Sequence, residues 1–149
     1  KRQPGIGMGR DPERTPMPWD GSLSSGFSTG RPWLPIGDAN QALNVQSSRN
    51  DPGSILSFYR HLLRMRRAEP VLVLGGLTDL TAYDGVIQFL RSDTGKRVAV
   101  MMNLSEQART VAVKLGSIIA CTDLRREGES VADAVELAPS EALMIELLP

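Results

Sequence analysis

Apolar positions recur at two different spacings along this chain, and the change comes near residue 70. Between residues 51 and 68, Ile55, Leu56, Tyr59, Leu62, Leu63 and Arg66 return three and four residues apart, the period of one helix face. Ser57, Arg60, His61, Arg64 and Arg67 fall largely on the other face. Asp51 is the candidate cap and Pro52 suits the first helical position. The helix is expected to run to about Ala68, with Pro70 ending it. Arg64, Arg66 and Arg67 crowd its last turns, where the helix dipole favours cations. His61, the sole histidine, lies on the polar face and is expected to be solvated.

From Val71 onward the pattern is that of strands, expected near 71–75, 77–83, 86–92, 97–103, 107–114, 117–122, 134–138 and 141–148. Asp84-Gly85 and Asp93-Thr94-Gly95 fit tight hairpins, Asn103-Leu104-Ser105-Glu106 fits a wider one, and Glu127-Gly128-Glu129 marks a polar loop. Thr110–Leu115 and Leu143–Leu147 alternate, so one side of each strand is buried and the other wet. Short strands separated by turns in this way predict a small antiparallel sandwich.

Residues 1–50 follow neither period. Prolines at positions 4, 12, 16, 18, 32 and 35 remove backbone donors and forbid a long helix or a central strand. A structureless loop of about fifty residues does not stand free in a compact domain. This one is therefore expected to be ordered against a surface, with Trp19 and Trp33 as packing anchors.

Composition narrows the function classes. Of the 149 residues, 41% are hydrophobic and 23% charged, which allows a folded core. Seventeen basic side chains balance seventeen acidic ones, leaving no long-range field to recruit nucleic acid or an anionic membrane. The apolar runs Val71–Leu74 and Val98–Met102 are too short to span a bilayer. Cys121 is the only cysteine, so no internal disulfide or cysteine-rich metal site is expected, and a cytoplasmic location is compatible with it. No cofactor or metal is expected: Gly5, Gly7 and Gly9 alternate without the strand and helix of a nucleotide fingerprint, and metal-ligand spacing is missing.

The informative stretch is Gly9-Arg10-Asp11-Pro12-Glu13-Arg14-Thr15-Pro16-Met17-Pro18-Trp19-Asp20. It continues through Gly26-Phe27-Ser28, Pro32-Trp33-Leu34-Pro35 and Asn44-Val45, then Asp51 to Arg60 and Leu63 to Arg67. In order and spacing it resembles the segment after the last barrel strand in the α-glucosidase and oligo-1,6-glucosidase branch of the α-amylase family, glycoside hydrolase family 13. Pro18 departs from the glutamine of many relatives. The resemblance implies the tail of a (β/α)8 barrel, its last βα loop and last helix, followed by an all-β antiparallel sandwich, domain C. Residues 1–69 would be the barrel portion, with the long loop over 1–50 and the helix over 51–69, and residues 70–149 the β-sandwich domain.

The resemblance also implies one site residue. Arg10 matches the arginine beside the pocket for the terminal glucose, where a guanidinium offers a planar fork of donors to sugar hydroxyls and to a carboxylate. Its alternative is a surface pair with Asp11 or Glu13. Arg14, Thr15 and Asp20 are expected to knit the loop to the barrel rim.

No catalytic residue is expected in this chain. Retaining glycosidases need two carboxyl groups about 5–5.5 Å apart, which the family carries on earlier barrel strands. Asp11, Glu13 and Asp20 have no apolar pocket nearby to raise an acid's pKa, and Glu127, Glu129 and Asp133 read as a wet loop. The chain, whose first residues Lys1 to Gly5 lack a signal peptide's apolar core and read like a cut through a loop, is expected to be inactive without an N-terminal barrel portion. With it, the resemblance implies a retaining hydrolase of short α-glucosides, malto- or isomalto-oligosaccharides. Rival readings are a sucrose isomerase or trehalose-forming transglucosidase, a non-enzymatic transporter heavy chain, and a carbohydrate-binding or interaction module.

Overall fold

A computed structural model describes residues 14–149. The chain forms two compact units, Lys1–Arg60 and His61–Pro149.

In the first unit the proline-rich stretch makes turns and a short 3-10 helix, Asp38–Gln41, then a short helix, α1 (Val45–Asn50). Proline spacing excluded a long helix, and α1 satisfies that limit with six residues. Asn44 makes it possible through a reciprocal capping box: its Oδ1 accepts from Ser47 N at 2.9 Å, and its own N–H donates to Ser47 Oγ at 3.1 Å. Two orphan donors of the first turn are thereby satisfied.

The long helix, α2, spans Ile55–Ala68 and starts later than expected. Asp51 closes α1 at its C-terminus and accepts from Gly53 N at 2.9 Å. Ser54 takes the capping role instead, its Oγ accepting from Ser57 N at 3.1 Å. The three residues after Asp51 are used to turn the chain, so the cap moves to the next hydroxyl. No residue of α2 is buried. Its apolar row stands in the open, with Ile55, Tyr59 and Leu63 exposed by 78%, 61% and 51%.

The second unit corrects the reading of 71–75. These residues are not a strand: Pro70–Val73 is one turn of helix, α3. Proline at its first position needs no N–H and has its φ preset, while Val71 and Leu72 point inward and are buried. The chain then runs directly into the sheet. Gly75 is required at the junction because a Cβ there would collide with the Val71 and Ser92 carbonyl oxygens.

Eight strands follow: β1 (Gly76–Tyr83), β2 (Val86–Ser92), β3 (Arg97–Asn103), β4 (Arg109–Ala112), β5 (Gly116–Cys121), β6 (Ser130–Val131), β7 (Ala134–Leu137) and β8 (Ala142–Leu147). Six make one antiparallel sheet in the order β1-β2-β3-β8-β5-β6, and β4 and β7 make a second. The β1–β2 hairpin turns at Asp84 and Gly85, both with positive φ, 48° and 80°, as a type I′ turn demands. Asn103–Glu106 is not a hairpin, since β3 and β4 lie in different sheets. It is the crossover between layers. The buried Asn103 amide holds it, donating to the Gln107, Leu137 and Ala138 carbonyls at 2.7, 3.3 and 2.9 Å.

The larger sheet is covered on both faces. Ala99, Met101, Ile118, Leu143 and Ile145 meet Val135 and Leu137 of the small sheet. On the other side Val98 and Val100 meet Val71 and Leu72, with Met65 of α2 packed against them. β3 therefore reads as an unbroken apolar run rather than an alternating one. Burying each such Val, Leu or Ile side chain is worth about 1.5–3 kcal/mol.

His61 is not solvated as expected. It is half-buried, with Nε2 3.0 Å from Glu127 Oε1, and both atoms are shut away from water without a well-aligned hydrogen bond. Glu127 thus belongs to a helix–loop contact, and the residues just before it, Leu124–Arg126, form a turn of 3-10 helix. Ser130–Val131 adds a strand too short to register as a hydrophobic period.

Candidate functional site

Arg10, Asp11 and Glu13 lie outside the described residues. The described part of the motif begins at Arg14. Its second half is held by the start of α1: Val45 N donates to Pro18 O at 2.9 Å and Gln46 N to Trp19 O at 3.0 Å. These are donors that a helix leaves unpaired in its first turn, so the proline-rich strip serves as the backbone cap of the helix beyond Asn44.

Asp20 organises the adjoining turn. Its Oδ1 accepts from Ser22 N at 2.8 Å, and Trp19 N and Asp20 N both donate to Ser25 O, at 2.8 and 3.2 Å. Hydrogen bonds from Ser22, through its side chain and then its backbone, hold the Asp20 carboxyl below its usual range. An exposed carboxylate so stabilised in its charged form is a poor general acid. Trp19 is half exposed and Trp33 is exposed by 80%, so neither residue is packed away by its own loop.

A cleft of about 520 Å³ opens in this loop between Leu23 and Ile36, with Arg31 at its edge and no carboxylate in its lining. Two further clefts, of about 220 and 210 Å³, flank β2 and β4 and hold one aspartate each, Asp79 and Asp84. None of these three clefts brings together the two carboxyl groups that glycosidic cleavage requires.

Two carboxylates do share a partner in the β unit, but for another purpose. Arg126 Nη1 reaches Glu141 Oε1 and Oε2 at 3.0 and 2.9 Å, and Arg126 Nε reaches Glu129 Oε2 at 2.9 Å. Burial alone would raise the pKa of Glu141. Hydrogen bonds from Cys121, the Ala138 amide and Arg126 override that and hold its carboxyl below the usual range. Burial first, and then the hydrogen bond to Glu141, push the Cys121 thiol up to about 12. A thiol at that value is no nucleophile near neutral pH. This cluster was not legible in the sequence, because Glu141 lies fifteen residues from Arg126 and twenty from Cys121. Among the described residues no group of three metal-ligating side chains assembles, and no helix is long and apolar enough to cross a membrane.

An exposed apolar helix following a proline-rich capping strip, then a two-sheet antiparallel domain, is the architecture expected where a barrel ends and a β domain begins. The chain belongs to the α-amylase family, glycoside hydrolase family 13. Residues 2–75 match the family model described as the alpha-amylase catalytic domain. The chain is 38% identical over 143 residues to the glucan 1,6-alpha-glucosidase of Streptococcus pneumoniae, an alignment covering 95% of this chain and 26% of that protein. It is 30% identical to the oligo-1,6-glucosidase of Parageobacillus thermoglucosidasius, over 87% of this chain and 23% of that one. Among solved structures, the isomaltulose synthase of Protaminobacter rubrum superimposes with a TM-score of 0.82 at 30% identity, over 94% of this chain and 26% of that one. The chain spans about a quarter of the length of these relatives. The first two relatives are glucosidases by name and the third an isomaltulose synthase.

Proposed function

We propose that the chain is the C-terminal portion of a retaining α-glucosidase that cleaves α-glucosidic bonds of short oligosaccharides in the cytoplasm, and that it is inactive alone. The 38% identity to a glucan 1,6-alpha-glucosidase over 95% of the chain carries this reading. The catalytic carboxyl pair is supplied by barrel strands beyond these 149 residues. One carboxylate attacks the anomeric carbon to give a covalent glucosyl-enzyme, while the other first protonates the leaving oxygen and then activates water.

Residues 1–69 finish the barrel and residues 70–149 are domain C. The open row Ile55, Tyr59 and Leu63 supports this division, because an amphipathic helix gains stability by burying such a stripe. Arg10 reaches the terminal glucose with its guanidinium fork. The capping of α1 by Pro18 and Trp19 fixes the far end of the strip that bears it.

The test is hydrolysis of a nitrophenyl α-glucoside and of isomaltose by a polypeptide joining this chain to its upstream barrel. Release of glucose supports the reading. A barrel-bearing polypeptide that leaves both substrates intact contradicts it. The likeness to an isomaltulose synthase motivates a second reading as a sucrose isomerase, in which the same polypeptide turns sucrose into isomaltulose in place of hydrolysing glucosides.

A further inference from the structure

The two sheets of the β unit are unequal, and the mismatch leaves one strand edge open. β4 and β7 pair only with each other among the described residues, so each has an outer edge. The register Ala112↔Ala134 and the bond from Val113 N to Asp133 O at 2.9 Å fix which backbone groups face outward. In an antiparallel ladder hydrogen-bonded pairs alternate with non-bonded ones. Val113 and Val111 therefore bond towards β7, and Thr110 and Ala112 turn their N–H and C=O groups away from it. The same alternation turns the Glu136 carbonyl away from β4, and that one is taken: Arg126 Nη1 donates to Glu136 O at 3.0 Å. The outer edge of β7 is covered by a guanidinium, and the outer edge of β4 is not.

The open edge borders a groove. β1 is exposed along its whole length, while Val86 and Leu90 of β2 reach the core shared with the small sheet. Two clefts lie end to end between β2 and β4, of about 220 and 210 Å³, and Gln88 and Ala112 line both. Arg109 closes one end by donating to Asp84 O at 2.8 Å. The other end carries Arg97 and Lys114 against Asp79, two cations to one carboxylate. Side-chain-sized hollows in series beside a free strand edge are the features that receive an extended peptide by strand addition. The backbone supplies affinity and alternate side chains fill the hollows.

We propose that the outer edge of β4 accepts an extended segment of a partner polypeptide as a third strand of the small sheet. The segment lies over Gln88 and Leu90 and presents a carboxylate side chain to Lys114. This does not depend on the function proposed for the barrel portion.

The test uses the 149-residue chain and a fluorescein-labelled heptapeptide in which threonine and valine alternate around a central glutamate. Saturable binding below about 1 mM is expected, with the Thr110 and Ala112 amides gaining protection from hydrogen exchange. A peptide N-methylated at every second amide should bind about tenfold more weakly in the register that meets β4. Ala112→Pro removes one outward donor without touching the bonds to β7, a position where an edge strand tolerates proline. It should weaken binding by a similar factor while leaving the melting temperature near that of the parent. Lys114→Glu should shift preference to a peptide with central lysine. Equal binding of the methylated peptides, exchange at Thr110 and Ala112 unmoved by peptide, or no saturation overturns the proposal. Self-association in sedimentation that Ala112→Pro abolishes assigns the edge to a second copy and also overturns it.

Discussion

Arg126 holds Glu141 by both carboxylate oxygens, at 3.0 and 2.9 Å, and the same Nη1 donates to the Glu136 carbonyl of β7. One guanidinium thus joins the turn after β5, the small sheet and the turn entering β8. Removing one partner of a buried pair leaves an uncompensated charge, which costs about 3–5 kcal/mol. Arg126→Met should therefore lower stability by about 3 kcal/mol in denaturant unfolding, with Glu141 left buried and unpaired. A loss under 1 kcal/mol would mean that solvent reaches Glu141 readily.

The same pair sets a pH dependence. The folded-state pKa of Glu141 lies below its unfolded value, so its contribution is present above the usual carboxylate range and is lost as pH falls through the lowered value. The melting temperature should be level from neutral down to about pH 5 and then fall. Glu141→Gln should flatten that acid limb relative to the parent. A limb of equal steepness in the variant would assign acid unfolding to other carboxylates.

Cys121 is buried, and its thiol is pushed up to about 12. It should resist aromatic disulfide reagents in the folded chain at pH 8 and react fully once the chain is unfolded. Rapid native-state reaction would show that the turn after β5 opens often.

Much of the β unit was legible because its strands and turns are locally encoded. Asp84-Gly85 and Asp93-Thr94-Gly95 both turn hairpins where they are expected, and seven of the eight expected strands are present. The run Val71–Leu74 misled because a short apolar run bounded by proline suits a strand and a buried helical turn alike. Pro70 at a first helical position decides between them only once the core is visible. The Asn103 crossover, the Arg126 cluster and the His61–Glu127 contact depend on pairing across layers, which no local spacing encodes. Ser54 is not distinguishable as a cap in the sequence, because Asp51 and Pro52 make a complete local signal three residues earlier.

The exposed stripe of α2 gives a contrast between parts. Tyr59→Gln or Leu63→Gln should change the stability of the 149-residue chain by less than about 0.5 kcal/mol, as exposed substitutions do. In a polypeptide that includes the barrel the same changes should cost about 2 kcal/mol or more, as for loss of buried apolar contact. Equal small effects in both settings would leave the stripe uncovered and count against the barrel assignment.

Arg10 is testable in the barrel-bearing polypeptide. Arg10→Ala should cost about 2–4 kcal/mol of transition-state binding, read from kcat/KM on a nitrophenyl α-glucoside. Arg10→Lys should recover only part, since an ammonium lacks the planar fork. A change of less than a few-fold would make Arg10 a bystander.

The most direct measurement is a turnover assay of the purified 149-residue chain on nitrophenyl α-glucoside, repeated after the upstream barrel is joined to it. No product above background from the chain alone, and glucose release from the joined polypeptide that Arg10→Ala sharply reduces, is the result predicted here. Turnover by the 149 residues alone would contradict the account, because the carboxyl pair would then have to lie within them.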